Sequence, residues 1–144
     1  MSEKVNVLYT ATARAEGGRN GTTLSGDGLI DVNLSVPKSM GGPGKPGATT
    51  PEDLFAAGYA ACFGGAVDFM ATKSGLKPSS LVIESAVSIG TTETGVGLQV
   101  ALTALVGGLS QADAEKIVAL GHQFCPYSKA IKGNVEVSVT VKLV

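Results

Sequence analysis

Cys62 and Cys125 are the only two thiols in a chain of 144 residues, and with Arg19, Glu52 and the single histidine, His122, they are the groups best suited to chemistry. A cysteine attacks as its thiolate, and apolar burial raises its pKa and suppresses that form. Cys62 lies in such a setting, because from Leu54 to Val67 the chain is alanine, glycine and larger apolar residues, with no charge before Asp68. A reactive Cys62 therefore needs a cation that stays charged when desolvated, and arginine has that property. Only Arg14 and Arg19 are available, and Arg19 sits in Gly17-Gly-Arg-Asn-Gly21. A buried guanidinium in turn needs a carboxylate to offset its desolvation, which Glu52 can supply in bidentate geometry. Each residue alone has a plainer reading. Cys62 reads as a small buried hydrophobe, Arg19 as a solvated loop residue, Glu52 as a helix-start charge, and His122 as a partner for the last carbonyls of a helix. Cys125 stands just before a proline at a helix boundary, where a thiol is better exposed. One histidine with two distant cysteines makes a weak zinc set, and no Ser-His-Asp arrangement is evident.

The elements that must position these groups are marked by local signals. Thr50 is suited to cap a helix, Pro51 to its first turn, and Glu52 and Asp53 to the positive end of its dipole. The helix is expected to run to about Ser74, with Gly75 and Pro78 as stop signals. Alternation predicts strands over Val5–Ala13, Leu29–Val36, Leu81–Ile89, Gly97–Val106 and Asn134–Val144. Glycine-rich turns predict hairpins at residues 17–21, at Gly26-Asp-Gly28 and at residues 91–95. Ser110 is placed to cap a second helix from Ala112 to about Gln123. The stretch from Pro37 to Thr49 reads as a loop. Its Gly42-Pro-Gly-Lys-Pro-Gly47 matches a dinucleotide-binding pattern in form, but two prolines remove N–H groups a phosphate would need and no βαβ unit surrounds it. The order β-β-β-α-β-β-α-β implies an α+β fold, with antiparallel sheets packed around one long apolar helix.

Length and composition set further bounds. The length suits one domain over residues 1–144, and 44% hydrophobic content with a net charge of -1 suits a soluble protein without a basic face for nucleic acid. The first residues lack a signal-peptide pattern and no unbroken apolar run reaches about 18 residues, so a cytoplasmic protein without membrane attachment is expected. In a reducing compartment the two thiols would be free or form a transient disulfide. So apolar a helix is hard to cover with one chain of this length, which predicts burial against a second copy in a homodimer.

Three segments carry a resemblance: Gly17-Gly-Arg-Asn-Gly21, the run from Pro51 through Cys62 to Phe63, and Cys125-Pro-Tyr-Ser-Lys-Ala-Ile-Lys-Gly-Asn134. Together they resemble the organic hydroperoxide resistance (Ohr) proteins of the Ohr/OsmC family, in order and over essentially the whole chain. Tyr127 and the glycine-flanked Arg19 look more like the Ohr branch than the OsmC branch, whereas Thr50 departs from the asparagine of many members and Asp53 stands at a position that varies; both suit a helix start. The resemblance implies an intertwined homodimer and a thiol peroxidase without bound cofactor, metal or haem. Cys62 would be the peroxidatic cysteine, Cys125 the resolving cysteine, and Arg19 with Glu52 the activating pair. It also implies organic hydroperoxides, including those of fatty acids, as substrates, and dihydrolipoamide or lipoylated enzyme subunits as reductant. Met40, Phe63, Phe69 and Tyr127 are candidates for an apolar substrate-binding lining. Glu52 and Cys62 are separated by about 15 Å along one continuous helix, so Arg19 and Glu52 of one subunit are expected to serve Cys62 of the other. The competing readings are an OsmC-like peroxidase of broader peroxide use and a lipid- or lipoyl-binding redox sensor without turnover.

Overall fold

Glycine and asparagine turns shape the first part of the chain. In the computed structural model, which describes residues 2–144, β1 (Ala13–Glu16) and β2 (Thr22–Ser25) pair antiparallel around a 3-10 turn at Gly18–Asn20. β2 then pairs antiparallel with β3 (Asp31–Leu34), and the two-residue β4 (Ala48–Thr49) adds to β3 in parallel. Both predicted hairpins of this region therefore form. The strand predicted over Val5–Ala13 does not: only its last residue, Ala13, lies in β1, and Leu8 is 99% exposed. Alternation defines two faces, but a strand also needs a continuous row of backbone bonds to a neighbour, and the single bond from the Gly26 N–H to the Thr12 carbonyl does not make one. The chain up to Pro51 forms one compact unit, and the chain from Glu52 onward forms a second.

The second unit contains all but the first residue of α1 (Pro51–Lys73), with β5 (Ser80–Thr92), β6 (Gly95–Gly107), α2 (Gln111–Phe124), α3 (Pro126–Ile131) and β7 (Glu136–Leu143). α1 starts at the predicted proline, and its end is sealed by Gly75, whose successor Leu76 returns its N–H to the Ala71 carbonyl at 2.9 Å. Ser110 caps α2 by accepting the Asp113 N–H at 3.1 Å. β5 and β6, 13 residues each, form a hairpin whose partners run in register from Ser80 opposite Gly107 to Thr92 opposite Gly95.

β7 corrects the expectation of wholly antiparallel pairing. It runs parallel to β6, with Val100 opposite Val137 and Leu102 opposite Val139, in a sheet of order β5-β6-β7. The helices α2 and α3 return the chain to the end where β6 began, so the next strand must run the same way as β6. α3 itself was not predicted.

One stripe of α1, Tyr59, Phe63, Ala66, Val67 and Ala71, packs with the inner residues of β6 and with Ala114, Ile117 and Val118 of α2. Each large side chain buried this way stabilises the unit by roughly 1.5–3 kcal/mol. By length and composition α1 could cross a membrane, yet this stripe packs into the core of the unit. Its opposite side, at Ala57, Ala61, Gly65 and Phe69, is exposed at four-residue intervals. An open groove of about 520 Å3 runs beside it, lined by Ala60, Gly64, Asp68, Leu81 and Ile83 among others. The whole is an α+β fold with two sheets and a long apolar helix.

A dithiol site at the junction of three helices

Cys62 lies near the middle of α1, half-buried, and Cys125 lies fully buried between α2 and α3, so the helix boundary does not expose it as expected and Cys62 is the more accessible thiol. Cys125 ends one helix and starts the next. Its N–H bonds the Gly121 carbonyl at 2.8 Å and its own carbonyl accepts the Lys129 N–H at 3.0 Å. The following Pro126 explains the break, since a residue before proline is pushed out of the helical region; Cys125 has φ −59° and ψ 122°. Proline also suits the first turn of α3.

This bend brings the two sulfurs together. Both cysteines are free thiols, and the Cys125 Sγ–H donates to Cys62 Sγ at 3.5 Å. The backbone N–H of Tyr127, one of the groups at the start of α3 with no partner inside that helix, also donates to the Cys62 sulfur. The influences on the Cys62 pKa oppose one another. Burial, the largest, pushes the thiol above its ordinary value, the Tyr127 N–H pulls it down, and Cys125 adds to the rise, so that the net direction is upward.

Aromatic rings stand along the same side of α1. Phe55, Tyr59 and Cys62 follow one another at helical spacing, and the Tyr127 ring lies 6.4 Å from that of Phe55 and 6.0 Å from that of Tyr59. Tyr127 is 44% exposed. Among the predicted lining residues, it therefore sits beside Cys62 at the protein surface. Phe63 is fully buried against Tyr59 and His122 in the core. Phe69 is exposed and stacks on Phe124 with ring centroids 4.8 Å apart, under the Lys73 ammonium. Met40 ends a short 3-10 turn of the first unit and is 41% exposed. Phe55 was missed in the sequence, although its spacing of seven from Cys62 places it on the same helical face two turns away and could have found it.

Arg19 belongs to the first unit, in the turn between β1 and β2, where Gly17 at φ 74° and Gly18 at φ 60° make the left-handed bends. The neighbouring Asn20 ties this turn to the loop that follows β3. Its Oδ1 accepts the Val36 N–H at 2.9 Å, and its carbonyl accepts the Lys45 Nζ at 2.9 Å. Glu52 lies in the first turn of α1 and, like Arg19, is half-buried and has an interaction partner. α1 is unbroken from Glu52 to Cys62, so roughly 15 Å of helix axis separates them.

The remaining polar groups meet behind the sulfurs. Ser128 Oγ lies 2.6 Å from the Tyr59 hydroxyl and 2.8 Å from His122 Nδ1, and Ser128 is 3% exposed. Burial raises the Tyr59 pKa, and burial followed by the Lys132 charge lowers that of His122. No group of three or more His, Cys, Asp or Glu side chains able to hold a metal occurs among the described residues.

Fold and site thus define an α+β protein with a closely apposed pair of thiols in apolar surroundings. The sequence model of the OsmC-like protein family matches residues 42–140. The organic hydroperoxide resistance protein of Xanthomonas axonopodis pv. citri (strain 306) is 46% identical over 142 residues, which span 98% of this chain and 99% of that one. OhrB of Bacillus subtilis (strain 168) is 42% identical over 94% of this chain and 98% of its own. An organic hydroperoxide resistance protein crystal structure from Legionella pneumophila superposes with a TM-score of 0.90 at 47% identity, covering 95% of this chain and 99% of the other. A Vibrio cholerae structure, with captopril bound in one of its active sites, superposes with a TM-score of 0.88 at 41% identity, over 96% of this chain and 95% of the other. The chain belongs to the Ohr/OsmC family, among its organic hydroperoxide resistance proteins.

Proposed function

We propose that this chain is a cysteine-based thiol peroxidase that reduces organic hydroperoxides, fatty acid hydroperoxides included, to alcohols. The observation that carries the proposal is the 3.5 Å approach of two free thiols, one of them half-buried among aromatic rings. The Cys62 thiolate attacks the outer peroxide oxygen, the O–O bond breaks, and the alkoxide leaves with a proton as the alcohol, which leaves Cys62 as a sulfenic acid. Cys125 then attacks the Cys62 sulfur. A disulfide forms, and the sulfenic hydroxyl departs with the Cys125 proton as water. Dihydrolipoyl groups, free or on lipoylated enzyme subunits, return the disulfide to two thiols and become cyclic disulfides themselves.

Because burial favours the Cys62 thiol, the reading assigns Arg19 to stabilise the thiolate and Glu52 to hold Arg19. The length of α1 between Glu52 and Cys62 favours a supply of Arg19 and Glu52 by one subunit to the Cys62 of the other. The proposed partner for the exposed α1 face at Ala57, Ala61 and Gly65 is a second copy of the chain. Gly65→Glu would place a charge there and should shift the protein to monomer in light scattering; an unchanged dimer would remove this face from the interface. The apolar site favours organic over inorganic peroxide, since each CH2 that a substrate buries gains about 0.8 kcal/mol and hydrogen peroxide has none. The protein is proposed to act in the cytoplasm, which fractionation of cells would test.

The direct experiment counts free thiols before and after one equivalent of cumene hydroperoxide, beside the same titration with hydrogen peroxide. Loss of both thiols to an intramolecular disulfide, much faster with the organic peroxide, is expected. Survival of both thiols would sink the peroxidase reading.

A further inference from the structure

The Ser128 hydroxyl bridges Tyr59 and His122, and each of the three residues stands one helical turn from a cysteine. Tyr59 precedes Cys62 by three positions on α1, His122 precedes Cys125 by three on α2, and Ser128 follows Cys125 by three on α3. We propose that Ser128 is a positioning residue for disulfide closure, because its two hydrogen bonds fix the α2–α3 bend and hold that bend against α1.

Apolar packing holds the three helices together without specifying the angle at which α3 leaves α2, because it is non-directional. The backbone at Cys125 keeps one bond to each helix, through the Gly121 carbonyl and the Lys129 N–H, but its non-helical conformation interrupts both, so side-chain bonds across the break add to what fixes the angle. The Ser128–His122 bond spans the interruption, from the last turn of α2 to the first turn of α3, and closes a ring across the bend. The Ser128–Tyr59 bond ties that ring to the turn of α1 that precedes Cys62. A serine has one hydroxyl proton, so Ser128 accepts in at least one of the two bonds. The junction is shut off from water at Ser128, so loss of the hydroxyl leaves the tyrosine or the imidazole without its buried partner. The sulfurs sit beside this junction at 3.5 Å, and they must close to about 2.05 Å to bond. An α2–α3 bend free to open would carry Cys125 away from that approach.

The proposal rests on the dithiol role assigned to Cys62 and Cys125, and its test is independent of any peroxide. Reduced protein is equilibrated with mixtures of reduced and oxidised glutathione, in which two protein thiols and one glutathione disulfide exchange for the protein disulfide and two glutathione thiols. The equilibrium gives the effective concentration of Cys125 at Cys62. Ser128→Ala and Tyr59→Phe should each lower it about tenfold, which is 29.6 mV for a two-electron couple. His122→Asn keeps a polar atom near the Nδ1 position and should stay close to wild type, whereas His122→Leu should fall with the other two. A second reading of the same variants uses excess cumene hydroperoxide: a slower closure should divert more Cys62 to sulfinic acid, seen as two added oxygens by mass spectrometry. Wild-type effective concentrations in both Ser128→Ala and Tyr59→Phe would overturn the proposal. A drop in the glutathione equilibrium together with thiols inert to peroxide would uphold the positioning role and reject the peroxidase reading instead.

Discussion

Gly121 of α2 lies directly against Val67 of α1, so that a Cβ built on the glycine would come within 2.9 Å of the Val67 Cα and 3.0 Å of its backbone nitrogen. This contact sets how closely α2 approaches α1, and Cys125 bonds the Gly121 carbonyl one turn later. Gly121→Ala gains about 1 kcal/mol in helix propensity. It also forces two backbones apart, which costs about 1–3 kcal/mol in a packed core and more where nothing flexible can yield. The second effect should win. Denaturant unfolding is expected to show a net loss of stability, and the thiol pair should close its disulfide more slowly; a more stable variant would refute the close approach.

Replacement of each thiol separates their roles. Cys125→Ser should still lose one thiol to cumene hydroperoxide, but as a persistent sulfenic acid that proceeds to sulfinic acid with excess peroxide. Cys62→Ser should leave Cys125, fully buried, inert to the same treatment. Mass spectrometry of the intact protein distinguishes the products, and equal oxidation of both variants would contradict the assignment.

The Cys62 thiol is pushed upward chiefly by burial, so Arg19 has to work against that shift if it activates the site. Arg19→Gln should slow alkylation of Cys62 by iodoacetamide near neutral pH about tenfold or more, because an adjacent cation favours the thiolate. The loss should shrink as pH rises and thiolate forms without help. Arg19→Lys should recover part of the rate but not the bidentate pairing. An alkylation profile identical in wild type and Arg19→Gln would show that Arg19 does not act on this thiol.

His122 titrates below its ordinary value, first through burial and then through the Lys132 charge. A group with a depressed folded pKa adds stability above its unfolded pKa, about 6.5 for histidine, and loses it as pH falls through the folded value. Thermal stability should therefore decline as pH drops from about 6.5, and His122→Asn should flatten that part of the curve. A decline equally steep in the variant would assign the loss to other groups.

The residues that open and close helices were legible because their signals are local. Pro51 with Glu52 and Asp53, Gly75 and the Ser110 cap act within one turn of the chain, so nearest-neighbour chemistry was enough to find α1 and α2. The Gly17-Gly-Arg-Asn-Gly21 turn and the β5–β6 hairpin belong to the same class. Pairing does not. The alternation of Val135 to Leu143 specifies two faces for a strand, but its parallel direction comes from where α2 and α3 deliver the chain. The looser alternation from Val5 to Ala13 yields a strand only from Ala13 onward. The proximity of Cys62 to Cys125, the Tyr127 N–H at the thiol and the Tyr59–Ser128–His122 junction likewise depend on the bend at Pro126 and the packing of three helices. The sequence by itself determined the reactive residue types and the elements that carry them, since those rest on short-range preferences. Only the tertiary structure decided which of these residues meet, because contacts between residues tens of positions apart depend on how all the elements pack at once.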